Sequence, residues 1–378
     1  MRIGVIGAGQ LGRMLGFAAR ELGHECRFLD PGANPPAAVA GETVRAGYDD
    51  TAAVAALAAD CDVLTYEFEN VPVDVLRAVE ASCPVFPPPA ALAHAQDRVR
   101  EKALFERLGI PLAPYYPVQD RADLDAATSK LGYPLVLKTR RFGYDGKGQA
   151  VIRNADDADD AWEALGGRPL VAEAWVPFQC EVSIIGVRAR NGETRCWPLT
   201  ENRHAEGILR TSIAPAGVTG FDETARSYMD RLLRELDYVG VLALELFVSG
   251  GSLLANEFAP RVHNSGHWTI EGSSCSQFSN HVRAITGEAL GDTDCRGHAG
   301  MLNLIGSIPA AVRNPADPRV RVHDYGKAPR PGRKLGHVTV VAEDAGSRNA
   351  LLDQYRGIVT ESSPEVGTVT WPEPGQSR

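Results

Sequence analysis

Apolar and polar positions alternate along this chain in a regular succession of short blocks. Residues 3–6 form an apolar run, 11–22 carry apolar positions at helical spacing, and 26–29 form a second mainly apolar run. A second helical stretch at 51–59 leads into a third apolar run at 63–66. Strand, helix, strand, helix, strand with short connections predicts a doubly wound α/β domain with right-handed crossovers. The stretch CPVFPPPAA at 83–91 interrupts this rhythm, because three consecutive prolines can extend neither a helix nor a central strand. The first boundary is placed there, and the N-terminal βαβ domain is taken as 1–94. Beyond it the pattern predicts a charged amphipathic helix over 95–108, a proline-rich loop, another helix and a strand over 135–138. Composition changes again near LGDTDCRGHAG, so a middle domain of 95–295 and a smaller β-rich domain of 296–378 containing GHVTVVA are expected.

The length of 378 residues suits two or three such domains, and an apolar content of 44% can fill real cores. With 48 acidic and 39 basic residues the net charge is −9, which argues against a nucleic acid or an anionic membrane as partner. Any anionic ligand must then be held by particular placed residues. The seven cysteines, at 26, 61, 83, 180, 196, 275 and 295, form no CxxC and no metal-ligand spacing. A scattered odd set suits a reducing cytosol, with each thiol a small buried apolar group. Met1 runs directly into the first apolar run and no run approaches bilayer length, so neither signal peptide nor membrane span is expected and the expected location is cytoplasmic.

The stretch GAGQLG at 7–12 sits between the first strand and first helix, and the second strand ends at Asp30. In that order these are the parts of a dinucleotide site, in which glycines let a phosphate approach unpaired N–H groups at a helix N-terminus. A glycine turn after the first strand serves any doubly wound domain, however, so a nicotinamide dehydrogenase is only one reading.

Two further features call for a different chemistry. In TRRFGYDGKGQ, Gly143, Gly146 and Gly148 are interleaved with Arg140, Arg141, Asp145 and Lys147. Such a basic glycine loop can fold over polyphosphate, although a surface hairpin turn would look the same, and it lacks the GxxxxGK[ST] of a Walker loop. The second feature is LALELFVSGGSLLANEFAPRVHNSGH, two apolar strands joined at Gly250-Gly251. With a Gly250-Gly251-Ser252 loop, Glu245 falls opposite Glu257 with Asn256 beside it. Carboxylates on otherwise apolar strands are costly unless a cation lies between them, and hard oxygen ligands suit Mg²⁺ bridging nucleotide phosphates. A dehydrogenase has no use for that pair; a solvated outer face is the other explanation.

Lys138 at a strand end, the loop GYDGKG, the strand LVAEAWVPFQCE and the hairpin with Glu245 and NEFAPRVHNSGH together resemble ATP-grasp enzymes. Within that superfamily GAGQLGRM, TYEFENV, NEFAPRVHNSGH and YGKAPRPGRKLGHVTV resemble the N5-carboxyaminoimidazole ribonucleotide synthetase family, and the resemblance runs from residue 1 to about 342. It implies an α/β ATP-grasp fold with an N-terminal Rossmann-like domain, a lid subdomain at about 110–172 and a small β-rich C-terminal domain. It also implies a homodimeric, ATP- and Mg²⁺-dependent carbon–nitrogen ligase of purine biosynthesis whose glycine turn lines the ribonucleotide side and carries no dinucleotide, which leaves Asp30 as a strand-end turn residue. Two departures stand out: Val262 replaces a usual proline, and Lys147 replaces a common arginine, a point charge where a fork is usual.

Carried onto this sequence, the resemblance places Arg98 and Lys138 at the ATP phosphates under the loop of Gly143, Tyr144, Asp145, Gly146, Lys147 and Gly148. Glu173, Ala174, Trp175 and Val176 would meet adenine, Glu181 the ribose, His204 and Asn256 the nucleotide, and Glu245 and Glu257 the Mg²⁺. The imidazole ribonucleotide would be bound by Gln10, Leu11, Glu69, Tyr144, Asp145, Lys147, Arg261, His263, Asn264, Ser265, Lys327 and Arg333. Lys138, Asp145, Lys147, Arg261 and His263 form the implied catalytic set, with Asp145 or His263 handling the amine proton. Lys327, Arg330, Arg333 and Lys334 make a basic cluster suited to a 5′-phosphate in a net-acidic chain. The implied reaction joins bicarbonate to aminoimidazole ribonucleotide through carboxyphosphate. A formate-dependent formyltransferase of the same superfamily is the nearest alternative.

Overall fold

A computed structural model of the chain describes residues 1–143 and 147–361. Its N-terminal sheet is parallel, with strand order Glu42–Arg45, Glu25–Asp30, Arg2–Ile6, Val63–Tyr66. Helices Gln10–Glu21 and Thr51–Ala59 form the crossovers, as the alternating pattern predicts. The middle strands are buried on both faces, which is why they read as continuous apolar runs.

The proline run behaves differently from expectation. Pro89 occupies the first turn of a helix, Pro89–Ala95, where its missing N–H costs nothing. The single helix expected over 95–108 is therefore two, and the second, Arg98–Arg107, starts afresh at Asp97. The Asp97 carboxylate caps it by accepting from the amides of Val99 and Arg100 and also holds Arg140 Nε at 2.7 Å. Start of helix and start of glycine loop are thus tied together.

A second, antiparallel sheet has the order Tyr115–Val118, Leu170–Ala174, Leu135–Thr139, Gln149–Ile152, covered by helices Arg121–Leu131 and Ala155–Leu165. The third sheet has nine strands. It begins with the hairpin Gly240–Ser249 and Ser252–Ala259, passes through Cys180–Arg188, Thr200–Ala205 and Ile208–Ala214, and continues into His298–Ile305, Lys334–Ala342 and Val320–Asp324. The β-rich tail therefore adds its strands to the same sheet, and helix Ala345–Glu361 packs on them.

The hairpin reaches the expected pairing by another route. Gly250 and Gly251, with φ of 56° and 75°, form a two-residue turn that pairs Ser249 with Ser252. That register alone would set Glu245 opposite Asn256. A bulge between Glu245 and Leu246 shifts it by one residue and brings Glu245 opposite Glu257. Cross-strand partners share a face, so pairing sets Glu257, Glu245, Ser183 and Thr200 in one row across four strands, with Asn202 and Ser212 beside it.

Candidate active site

The glycine turn is filled from inside the protein. Glu67, just after strand Val63–Tyr66, accepts from Gly9 N at 2.8 Å and Gly12 N at 3.1 Å, while Asp30 accepts from Ala8 N at 3.0 Å. A Cβ on Gly7 would lie 2.7 Å from Glu67 Cγ, and one on Gly9 2.8 Å from its Oε1, so these glycines make room for a carboxylate. The donors that a dinucleotide pyrophosphate would need are taken. Burial pushes the Glu67 carboxyl up, opposed by those amides and by Arg261 and Lys327. Asp30 is more than a turn residue, since it also receives the Tyr48 hydroxyl at 2.8 Å. Leu11 turns its side chain into the core, which leaves its first-turn amide and that of Gln10 as the groups facing outward.

Around that turn a cationic end assembles. Lys327 Nζ bonds Gln10 Oε1, and Arg13 Nη1 donates to Tyr325 O at 3.3 Å. Burial lowers the Lys327 ammonium, Glu67 opposes this, and Arg333 and Lys334 lower it further. Arg333 lies nearby, half-buried, with Nη1 donating to Ala328 O at 3.1 Å.

The segment 261–265 links this end to the hairpin. Arg261 pairs with Glu69 at 2.7 Å, and Val262 is buried beneath it. His263 turns the other way, with Nε2 at 3.1 Å from Glu245 Oε1 and Nδ1 at 2.9 Å from Ser265 Oγ. Both ring nitrogens are thus engaged, so His263 holds no spare position for an amine proton. Asn264 exchanges hydrogen bonds with Asn303 at 3.1 and 2.7 Å.

At the opposite end Arg98 Nη1 lies 2.8 Å from Glu257 Oε2. Lys138 Nζ lies 2.9 Å from Glu173 Oε2, and Lys102, which the sequence reading does not single out, lies 3.1 Å from Glu173 Oε1. The Glu173 carboxylate is buried with both oxygens on lysine ammonium groups; burial would raise it, but the lysines and Arg98 hold it below the usual carboxylate range. The chain then runs through Ala174 to Trp175, whose amide donates to Pro134 O, and on to Val176. His204 Nδ1 lies 2.8 Å from Glu181 Oε2. Glu101, also absent from the sequence reading, is 2% exposed and accepts from Phe258 N at 2.7 Å. Burial and neighbouring Glu257 push its carboxyl up to about 8.

Gly143 and Gly148 close the base of the glycine loop. Thr139 N donates to Gly148 O, and a Cβ on Gly148, at φ +73°, would sit 2.7 Å from Thr139 Oγ1. Lys147 is exposed beside it. Tyr144, Asp145 and Gly146 lie outside the described residues. Among the described residues no three His, Cys, Asp or Glu side chains converge as a metal site, and the hairpin offers two paired carboxylates with Asn256 as the extra residue of the bulge beside Glu257.

Three family models match in succession: a ribonucleotide synthetase preATP-grasp domain over 1–96, an ATP-grasp domain over 103–278, and a phosphoribosylaminoimidazole carboxylase C-terminal domain over 299–350. The chain is 48% identical over 359 residues to the N5-carboxyaminoimidazole ribonucleotide synthase of Pseudomonas aeruginosa, covering 95% of this chain and 99% of the relative. A crystal structure of N5-carboxyaminoimidazole ribonucleotide synthetase from Thermus thermophilus superposes with a TM-score of 0.91 at 46% identity, covering 98% and 100% of the two chains. A synthase from Aspergillus clavatus, solved with ADP and 5-aminoimidazole ribonucleotide, superposes with a TM-score of 0.88 at 31% identity over 95% and 98%. The dehydrogenase reading falls with the Glu67-filled turn and these likenesses, and the chain belongs to the N5-carboxyaminoimidazole ribonucleotide synthetase family of ATP-grasp ligases.

Proposed function

We propose that this chain uses ATP to join bicarbonate to 5-aminoimidazole ribonucleotide, giving N5-carboxyaminoimidazole ribonucleotide, ADP and phosphate. The observation that carries this reading is the segment 261–265, which pairs with the hairpin carboxylate Glu245 on one side and with Glu69, beside the Gln10–Lys327 end, on the other. One bound species at each end would meet over Arg261 and His263.

A bicarbonate oxygen attacks the γ-phosphorus of ATP and the bond to the β–γ bridging oxygen breaks, releasing ADP and leaving carboxyphosphate. Carboxyphosphate loses phosphate to give CO₂, whose carbon is captured by the amine nitrogen as that nitrogen gives up a proton. Transfer of this kind depends on positioning and charge neutralisation more than on covalent help. Lys138 and Arg98 supply cations at the phosphates, and Arg261 supplies one to the carboxylate being transferred. Gly143, Lys147 and Gly148, with Tyr144, Asp145 and Gly146, would cover the site and keep water from carboxyphosphate. Lys327 and Arg333 would hold the ribonucleotide phosphate, with Gln10, Leu11, Glu69, Asn264 and Ser265 orienting the rest. Backbone at 174–176, Glu181 and His204 would hold the nucleoside.

Oxygen donors from Glu245, Glu257 and Asn256 fit Mg²⁺, which needs only one or two carboxylates once phosphates and water complete its shell. When bound it would neutralise charge on the transferring phosphoryl group. With Glu245 on His263 and Glu257 on Arg98, both carboxylates are held in place. A homodimer and a cytoplasmic location complete the reading, the first checked by sedimentation.

The test is phosphate release from ATP with aminoimidazole ribonucleotide in the presence and absence of bicarbonate. Release that needs both supports the reading. Release with formate and glycinamide ribonucleotide instead would move the chain to formyl transfer.

A further inference from the structure

Behind His263 runs a chain of polar side chains of which the reaction scheme uses only the last, Ser265. Ser212 Oγ donates to Asn202 Oδ1 at 2.8 Å, Asn202 Nδ2 donates to Ser183 Oγ at 2.9 Å, and Ser183 Oγ donates to Ser265 Oγ at 2.8 Å. Ser265 Oγ lies 2.9 Å from His263 Nδ1. Ser183, Ser212 and Ser265 have no exposed surface and Asn202 is 4% exposed, so the chain is shut off from solvent. These residues come from three adjacent strands and the short turn after the hairpin, brought together by sheet register.

Direction follows from donor count. Ser183 accepts from Asn202 Nδ2 and donates to Ser265 Oγ, which leaves the Ser265 proton free to reach His263 Nδ1. A second observation reaches the same end independently of how the amide is oriented. The Ser265 backbone N–H, which cannot reverse, also points at His263 Nδ1 at 3.3 Å. Nδ1 is therefore the acceptor, and the ring proton sits on Nε2, facing Glu245. The His263 backbone is held as firmly, since Gln277 accepts from its N–H at 2.9 Å and donates to its C=O at 2.7 Å.

We propose that Ser183 and Asn202 are positioning residues that fix His263 in its Nε2–H tautomer, so that the imidazole presents an N–H to Glu245. An N–H donor fixed there sets the direction of the carboxylate. The proposal rests on the ligase reading for its consequence, but the tautomer itself does not depend on that reading.

The experiment combines ¹⁵N-histidine NMR of the full chain with steady-state kinetics. In the wild type, the His263 signals, assigned by their loss in His263→Asn, should show an acceptor-type Nδ1 and a protonated Nε2. Ser183→Ala should mix the two tautomers and lower kcat about ten- to a hundredfold while the KM for ATP stays within about twofold. Asn202→Asp has the same shape but offers no N–H to Ser183, so it should push the ring toward Nδ1–H. Lost activity in Ser183→Ala with an unchanged tautomer would mean the chain is only core structure and would overturn the proposal. So would a protonated Nδ1 in the wild type, which needs no variant to fold. A wild-type enzyme with the stated tautomer but no bicarbonate-dependent phosphate release would instead sink the ligase reading and leave the tautomer standing.

Discussion

Glu245 and Glu257 face each other across the hairpin, yet each is held by a different partner, His263 at 3.1 Å and Arg98 at 2.8 Å. Two carboxylates side by side would ordinarily raise one another's pKa, but with a partner on each the Glu245 carboxyl is held well below the usual range despite burial. The Glu245 charge is therefore available to a divalent cation.

Glu257→Gln keeps shape and removes charge. Phosphate release should fall by about two orders of magnitude or more, and raising Mg²⁺ should recover only part of the loss. Full activity across a Mg²⁺ titration would show that the hairpin carboxylates do not serve the phosphoryl group.

Lys102 and Lys138 share one carboxylate, and this sets an order of stabilities. Lys102→Met leaves Glu173 still paired with Lys138, whereas Glu173→Gln leaves two buried ammonium groups facing each other. Glu173→Gln should be the more destabilised in urea, by about 3–5 kcal/mol relative to wild type. Equal midpoints for the two variants would show that Glu173 does not bind the lysines together.

These contacts mark the limit of what the sequence makes legible. Parallel strands and the GG hairpin leave local periodicity and turn chemistry, so they can be read directly. Glu67 meets Gly9 and Gly12 from 58 and 55 positions away, through strand adjacency that no local pattern encodes. Lys102 looks like any charged position on an amphipathic helix; only the approach of strands Leu135–Thr139 and Leu170–Ala174 makes it a buried partner. The bulge at Asn256 is equally silent, although the resulting Glu245–Glu257 pairing was expected from a different loop.

Glu67 occupies the donors of the glycine turn, so calorimetry should show Mg-ATP binding and no NADH binding by the wild type. Tight NADH binding without a response to Mg-ATP would contradict both the filled turn and the ligase reading.

Glu101 gives a pH prediction with a definite sign. Its folded pKa, about 8, lies above the ordinary 4.5, so the folded state keeps a proton that the unfolded state has lost between those values. Its contribution to stability is full below the ordinary carboxylate range and is lost as pH rises through about 8. Unfolding free energy should fall by about 2–4 kcal/mol from pH 5 to pH 8 on this account, and Glu101→Gln, always neutral, should flatten the slope. An identical slope in wild type and Glu101→Gln would refute it. Glu173 acts in the opposite direction, since its lowered pKa gives stability that is lost only as pH falls into the acid range.

The two cationic ends should separate kinetically. Lys138 and Arg98 lie with Glu173 and Glu257, whereas Lys327 meets Gln10 at the far side of segment 261–265 and is lowered partly by Arg333. Cations that raise the cost of one another's charge are relieved by a bound anion, so a ribonucleotide phosphate at that end would gain from both. Arg333→Ala should leave Mg-ATP binding unchanged, because the Arg333 guanidinium is half-buried on its own loop, donating to Ala328 O. Its KM for aminoimidazole ribonucleotide should rise about ten- to a hundredfold, the equivalent of one charge-assisted contact worth about 1.5–3 kcal/mol. kcat should fall as well only to the extent that phosphate binding places the amine over the carboxyl carbon. Paired titrations of wild type and Arg333→Ala, one varying ATP and one varying the ribonucleotide with bicarbonate present, read both quantities. A defect confined to ATP would place Arg333 at the wrong end and undo the division of the site.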